Sequence, residues 1–368
     1  MKYIFSIILI MHGLIHFMGF AKAFDYGNST QITKEISKSM GIFWLIAALL
    51  FIIATILFFL KNEYWIYLAI VASIISQFLI FGIWKEAKFG TIANLIIIVV
   101  AVLSWTTYNF ENSFKKDVKF NLNKSKNVNI GLLTQNDIQL LPKPVQKYLL
   151  YCNVLNKPKV KNIRLIFDGE MREKGKDWFK FQSVQYNFFD NPTRLFFMKA
   201  KMSGTTVQGY HNYQNANASM QVKLFGAFSV VDESGIVMNK AETVTVFNDM
   251  CLMAPATLID NRIQWKTIDD YTVEAVFDNE GFQIKATLTF NEKGQLINFT
   301  SDDRYAVSDM KPYRFSTPIK DNKNFNGINV PTYGEAIWHY PDGAFVYGKF
   351  YLKNIEYNVS ELKKLTII

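Results

Sequence analysis

The chain has 368 residues, half of them apolar and 19% charged, with a net charge of +9. The positive surplus is spread thinly, which excludes a clustered nucleic-acid surface and leaves anionic membrane lipids as the acidic partner to expect. Cys152 and Cys251 lie far apart and match no metal spacing, so they read as buried thiols.

A mean hydropathy of +0.06 averages two unlike parts. Residues 1–110 hold seven lysines and four acids between long apolar runs. A spanning helix needs about 20 mostly apolar residues, and 3–20, 41–60, 64–84 and 91–108 meet or approach that length. The separators Lys61-Asn62-Glu63 and 85–90 are short, so neighbouring spans run antiparallel in one bundle. Trp44, Trp65, Trp84 and Trp105 lie near span ends, where amphipathic rings favour the headgroup layer. The longer loop, 21–40, contains Lys34-Glu35 and fits a short interfacial helix. Ala21-Lys22-Ala23 gives the first run a signal-peptide alternative, but its length and two histidines favour a retained span. Four spans put both ends on one side. Seven lysines on that side against five on the other lean towards a cytoplasmic C-terminal domain in a multi-pass cell-membrane protein.

His12 and His16 are one helical turn apart and share a face. Ionisable groups at membrane depth face a protein interior. One reading makes them a metal or haem pair or a proton relay; the other makes them neutral and hydrogen-bonded, with Gln77 as a candidate partner. No acid lies inside an apolar run to complete a ligand set, and no cofactor is expected.

Residues 111–133 read as a polar linker and 134–368 as a water-exposed β-rich domain. Thr134 caps a first turn, Pro142 interrupts it, and Pro144 starts a second helix with Val145, Tyr148, Leu149 and Cys152 on one stripe. Period-two alternation then begins. Strands are expected at 164–172, 178–189, 194–202, 206–213, 218–224 and 229–232. A helix at 241–251 precedes Pro255. Four more strands follow at 264–268, 272–278, 282–290 and 296–305, and a last hairpin pairs 334–340 with 344–357. The fold class is therefore an α-helical transmembrane bundle followed by a mainly antiparallel β domain, a curled sheet or open half-barrel with helices packed on it. Phe196, Phe197, Phe225, Phe228, Trp265, Phe290, Trp338 and Phe345 either fill one concave core, the default, or line an apolar cavity.

Several motifs now stand in order: His12-Gly13-Leu14-Ile15-His16, the run 141–149 (Leu-Pro-Lys-Pro-Val-Gln-Lys-Tyr-Leu), Gly169-Glu170-Met171-Arg172, Gln185-Tyr186, Asp303-Arg304-Tyr305 and Val330-Pro331-Thr332. In these the chain resembles a bacterial family of unknown function that joins such helices to a β-rich domain. The resemblance covers nearly the whole chain and implies no activity. A looser one links Gly209, Tyr210, Tyr213, 255–258 and 290–296 to the open-barrel lipoprotein carriers of the bacterial envelope. It implies an acyl chain or other hydrophobic ligand held in an apolar half-barrel under a helical lid.

No phosphate loop, dinucleotide fingerprint, nucleophile elbow or zinc spacing is present. His211 and His339 stand alone on strands. Asp168, Glu170, Asp302 and Asp303 are the carboxylates nearest to a constellation, and surface ion pairs account for them better than acid–base chemistry. A binding protein is thus favoured over an enzyme acting on a hydrophobic substrate. Arg172, Gln185, Arg304 and Tyr305 are the expected polar rim, since Arg offers a planar fork to a carboxylate or headgroup. Tyr186, Trp265 and Trp338 are further candidate ligand contacts.

Overall fold

A computed structural model of the chain describes residues 2–26, 31–126, 130–202, 204–306, 309–365 and 367. It divides into two compact units, 1–110 with 225–227, and 111–224 with 228–368.

The first unit is helical. Helices α1 (Lys2–Ala23), α2 (Lys38–Phe59) and α3 (Tyr64–Gly82) are followed by a single turn, α4 (Trp84–Ala87), and by α5 (Gly90–Ser125). Four of them, all but α4, are long and apolar enough to cross a membrane. The Ser37 side chain caps α2 by accepting the Met40 N–H. Inward faces are built from small and aromatic residues, among them Ala47, Phe51, Ala54, Ala69 and Ala72. Outward faces carry exposed Ile, Leu and Phe, as lipid-facing helices do. Gly19 is required by a close approach, because a Cβ there would lie 2.2 Å from the Trp44 ring. In loop 21–40, residues 27–30 fall outside the described residues, 21–23 still belong to α1, and 24–26 and 31–37 are not helical.

Residues 111–125, expected as part of a polar linker, instead continue α5. Their polarity hid an amphipathic helix: Phe114, Val118 and Leu122 are buried at helical spacing, and the lysines between them point outward.

The second unit is a sheet wrapped on a helix. The short helices α6 (Gln135–Ile138) and α7 (Lys143–Tyr151) come first, Thr134 and Asp137 forming a capping box on α6. Strands β1 (Asn162–Met171), β2 (Phe179–Phe188), β3 (Thr193–Met202), β4 (Thr205–Gln214), β5 (Asn217–Leu224) and β6 (Phe228–Ser234) form a meander. Helix α8 (Ile236–Met253) follows. Then come β7 (Ile263–Thr267), β8 (Thr272–Asn279), β9 (Phe282–Phe290), β10 (Leu296–Ser301) and a two-stranded ribbon of β11 (Tyr305–Ala306) and β12 (Lys311–Pro312). Last are β13 (Arg314–Phe325), β14 (Ile328–Tyr340) and β15 (Gly343–Tyr357).

Among the described residues, thirteen strands make one antiparallel sheet in the order β6-β5-β4-β3-β2-β1-β15-β14-β13-β10-β9-β8-β7. The edges β6 and β7 do not pair, so the sheet is open. It is nevertheless tightly curled. Strands β4 and β8 are nine places apart, about 43 Å along a flat sheet at ~4.8 Å per strand. Yet Asn279 on β8 donates to the Tyr213 hydroxyl on β4 at 2.7 Å. That bond also fixes what lies inside the curl, since Tyr213 meets Thr243 of α8 at 2.7 Å. Helix α8 is buried on most of its surface: Val244, Val246, Phe247, Met250 and Cys251 have no exposure. Phe247 stacks on Phe277 at 5.1 Å and meets Phe299 edge-on at 6.0 Å. Helix α7 closes the same core with Val145, Tyr148, Leu149 and Cys152, and the Tyr148 hydroxyl donates to the Cys251 carbonyl at 2.7 Å.

Strand β13 was not expected. Its second half, 320–325, is polar and pairs only with β14 in a ribbon beyond the end of β10, so no buried face imposes an alternation there. The aromatic residues do not fill a single core either. Phe290 joins the α8 core, Phe196 and Trp338 sit in separate clusters, Phe197 points to the opposite face, and Phe225 and Phe228 are exposed.

Candidate functional site

Two arrangements on the α8 side of the sheet bring chemistry-bearing residues together. The first is a buried ion network. Gln185 and Asn187 on β2, Arg194 on β3 and His211 on β4 occupy paired positions facing α8. From α8, Asp249 Oδ2 accepts from Gln185 at 2.7 Å, Asn187 at 2.9 Å and Arg194 Nε at 2.9 Å. Arg194 Nη1 reaches Glu242 at 3.2 Å, and its Nη2 donates to Gln185 at 3.2 Å. His211 Nδ1 stands 3.8 Å from Glu242, too far for a hydrogen bond but within reach of charge. Arg194 is 8% exposed and Glu242 is 4% exposed. Burial by itself raises the Glu242 pKa; the imidazole of His211 and the guanidinium groups of Arg194 and Arg304 outweigh it and hold the carboxyl down to about 2. Two carboxylates and one guanidinium, cross-linked by two amides, thus meet between helix and sheet.

Of this network the sequence reading named Gln185 as a site residue and His211 as standing alone on a strand, whereas His211 lies beside Glu242. A signal was present: Glu242 and Asp249 stand seven residues apart, two turns on one face of a helix whose other residues include Val244, Val246, Phe247, Met250 and Cys251. Two acids there demand a cation across the interface.

The second arrangement is a cation–aromatic surface beside it. Phe315, Trp338 and Phe345 are directly paired across β13, β14 and β15. Arg304, on the loop after β10, lays its guanidinium 4.0 Å from the Phe315 ring centre and 5.1 Å from that of Trp338, and donates to the Tyr347 hydroxyl at 2.7 Å. Asp303 anchors this loop, accepting from Lys240 of α8 at 2.8 Å and from the Lys285 backbone at 2.8 Å. At the end of the row Arg172 lies 5.0 Å from Phe345 and 4.4 Å from Trp178. Gly169 in the same motif is needed because a Cβ would lie 2.2 Å from the Phe181 ring. Among the described residues neither Arg304 nor Arg172 forms an ion pair, whereas Arg194, Arg262 and Arg314 do.

Of the expected site residues, then, Arg304 and Trp338 lie together, Arg172 lies at the margin of the same surface, and Tyr305 pairs with Pro312 in the β11–β12 ribbon. Gln185 belongs to the ion network. Tyr186 is on the opposite face, packed against Phe114 of α5 and under Arg164. Trp265 is on the edge strand β7 against the main core, with its buried indole N–H unpaired. The carboxylates considered for catalysis are not brought together. Asp168 pairs with Gln182 and Lys353, Asp302 with Arg314, and Asp303 with Lys240. In the helical unit His12 Nε2 meets Asn94 at 2.8 Å and Ser76 at 3.2 Å. Gln77 is one bond further off, accepting from Asn94 at 3.1 Å. Groups of three or more His, Cys, Asp or Glu fit for a metal are absent among the described residues.

These features define a class: four helices fit for a membrane, joined to an open antiparallel sheet curled around one buried helix. The family of unknown function DUF6544 matches residues 131–350, and the chain belongs to it. No curated protein matches the chain in sequence. Among solved structures, the LolA superfamily protein NE2245 from Nitrosomonas europaea is similar at a TM-score of 0.32 and 8% identity, over 58% of this chain and 94% of that one.

Proposed function

We propose that the chain is a membrane-anchored binding protein whose β-unit takes an anionic amphiphile on the surface around Arg304. The observation that carries this reading is Arg304 itself. Arg304 is half-buried, its guanidinium is stacked on Phe315 and Trp338, and among the described residues no carboxylate lies within ion-pair distance, Glu242 acting on it only from further off. A cation partly withdrawn from water gains from an anion, and a carboxylate or phosphate fits its fork. Phe315 and Trp338 are buried beneath the guanidinium, and the half-exposed rings of Phe345 and Tyr347 beside it offer apolar contact to a chain. The interior of the curl is filled by α8, so the ligand lies on this surface rather than in a deep half-barrel.

The test uses the full chain in neutral-lipid nanodiscs, titrated with oleate and with a zwitterionic lysophosphatidylcholine and read by tryptophan fluorescence. A hydrogen bond to a charged group contributes about 1.5–3 kcal/mol. Arg304→Ala is therefore expected to weaken oleate binding at least tenfold and to change the zwitterionic probe little. An unsaturable response, or equal loss for both probes, removes the proposal.

The lysine surplus beside the spans, seven against five, supports a β-unit on the cytoplasmic side. A reporter fused after Ile368 should be active only in the cytoplasm; activity of an export-dependent reporter there reverses the orientation.

A further inference from the structure

The helical unit contains a cavity of about 200 Å³ beneath the 31–36 loop, walled by Trp44, Ile32, Ile80 and Ile83, with His16 in its lining and Glu86 at the exposed side. His16 is 1% exposed, and its Nε2 is a buried atom without a hydrogen-bond partner. The other ring nitrogen fixes what Nε2 can do. His16 Nδ1 lies 2.7 Å from the His12 carbonyl oxygen, which only accepts, so Nδ1 carries the proton. In the neutral ring Nε2 then presents a lone pair. His12 differs, because its Nε2 is spent on Asn94 and Ser76. A bare acceptor in an apolar, membrane-depth wall is costly unless a donor meets it.

We propose that this cavity binds a membrane-soluble phenol or quinol whose hydroxyl donates to His16 Nε2. The chemistry selects the class. The lone pair requires a donor, which excludes ethers and esters as the contacting group. Among the described residues no lysine or arginine lines the cavity, so a carboxylate or phosphate would enter an apolar wall without a cation to hold it, which disfavours those groups. A cavity of ~150 Å³ lined by apolar side chains accepts a benzene ring, so this one suits a substituted ring. The Trp44 ring, 5.0 Å from His16, supplies an aromatic wall for it. This site lies in the helical unit and does not depend on the β-unit reading.

The full chain in nanodiscs is titrated with tert-butylhydroquinone and with its dimethyl ether, which keeps the shape and lacks both donors. Binding is read by calorimetry and by tryptophan quenching, with Trp44→Phe identifying the reporting ring. The expected result is saturable binding of the hydroquinone, at least tenfold weaker binding of the ether, and at least tenfold loss in His16→Phe. Because His16→Phe also alters packing, Ala87→Leu narrows the cavity with His16 in place and should weaken the hydroquinone similarly. Equal binding of the two probes, unchanged affinity in Ala87→Leu, or no saturable signal, as for a cavity that holds only water, overturns the proposal.

Discussion

Arg194→Met is expected to destabilise the β-unit by about 3–5 kcal/mol, the usual consequence of removing one partner from a buried ion pair. The methionine fills much of the arginine's volume, so the loss is electrostatic. Glu242 and Asp249 would be left on one helix face with only His211 and Arg304 nearby. Their mutual repulsion and lost hydration then oppose docking of α8 on β2 and β3. The same network sets an acid limit. A carboxyl held down in the folded state stabilises above its unfolded pKa of 4.5, and that stability is lost as pH falls from there through about 2. Denaturant unfolding of the full chain in detergent, followed by the β signal in circular dichroism, should thus weaken over that window. In Glu242→Gln the slope there should flatten. Combining Arg194→Met with Glu242→Gln should cost less than the two single losses added, because the second change removes a charge the first left unpaired. A change below about 1 kcal/mol for Arg194→Met, less than any buried pair of this kind gives, would falsify the network as a structural element.

Phe247→Ala should destabilise the same unit by about 3–5 kcal/mol, the cost of a cavity in a packed core. Phe247 has no exposure and is held between Phe277 and Phe299, so no flexible neighbour can collapse into the gap. This also separates a filled interior from an empty one. If the ring bordered open ligand space, its truncation would cost much less stability and alter ligand binding instead. A loss near 1 kcal/mol, the size of a change at a site that is not closely packed, would return the half-barrel reading to consideration.

The sequence alone determined the order of classes, apolar helices first and an antiparallel sheet after them. Four lipid-length apolar runs, with separators of twenty, three and six residues, read as helices long and apolar enough to cross a membrane, and alternation with turn residues compels an antiparallel sheet. The hairpin at Asn279-Glu280-Gly281 is an example, both central residues taking the left-handed conformation that such a turn needs. The apolar stripe of α7 and the buried pair His12 and His16 were legible for the same reason, since helical spacing fixes which side chains share a face. Three things were decided only in three dimensions. Residues 111–125 looked like a linker because their surface is charged, and only packing revealed the buried stripe of Phe114, Val118 and Leu122. The curl depends on a contact between Tyr213 and Asn279, 66 residues apart, which no local pattern encodes. The partners of Glu242 and Asp249 come from strands some 50 residues earlier, so the acids read as isolated charges until the sheet closed over α8 and brought Arg194 between them. Local periodicity is set by neighbours in the chain, whereas a charge network is set by which distant elements the fold presses together.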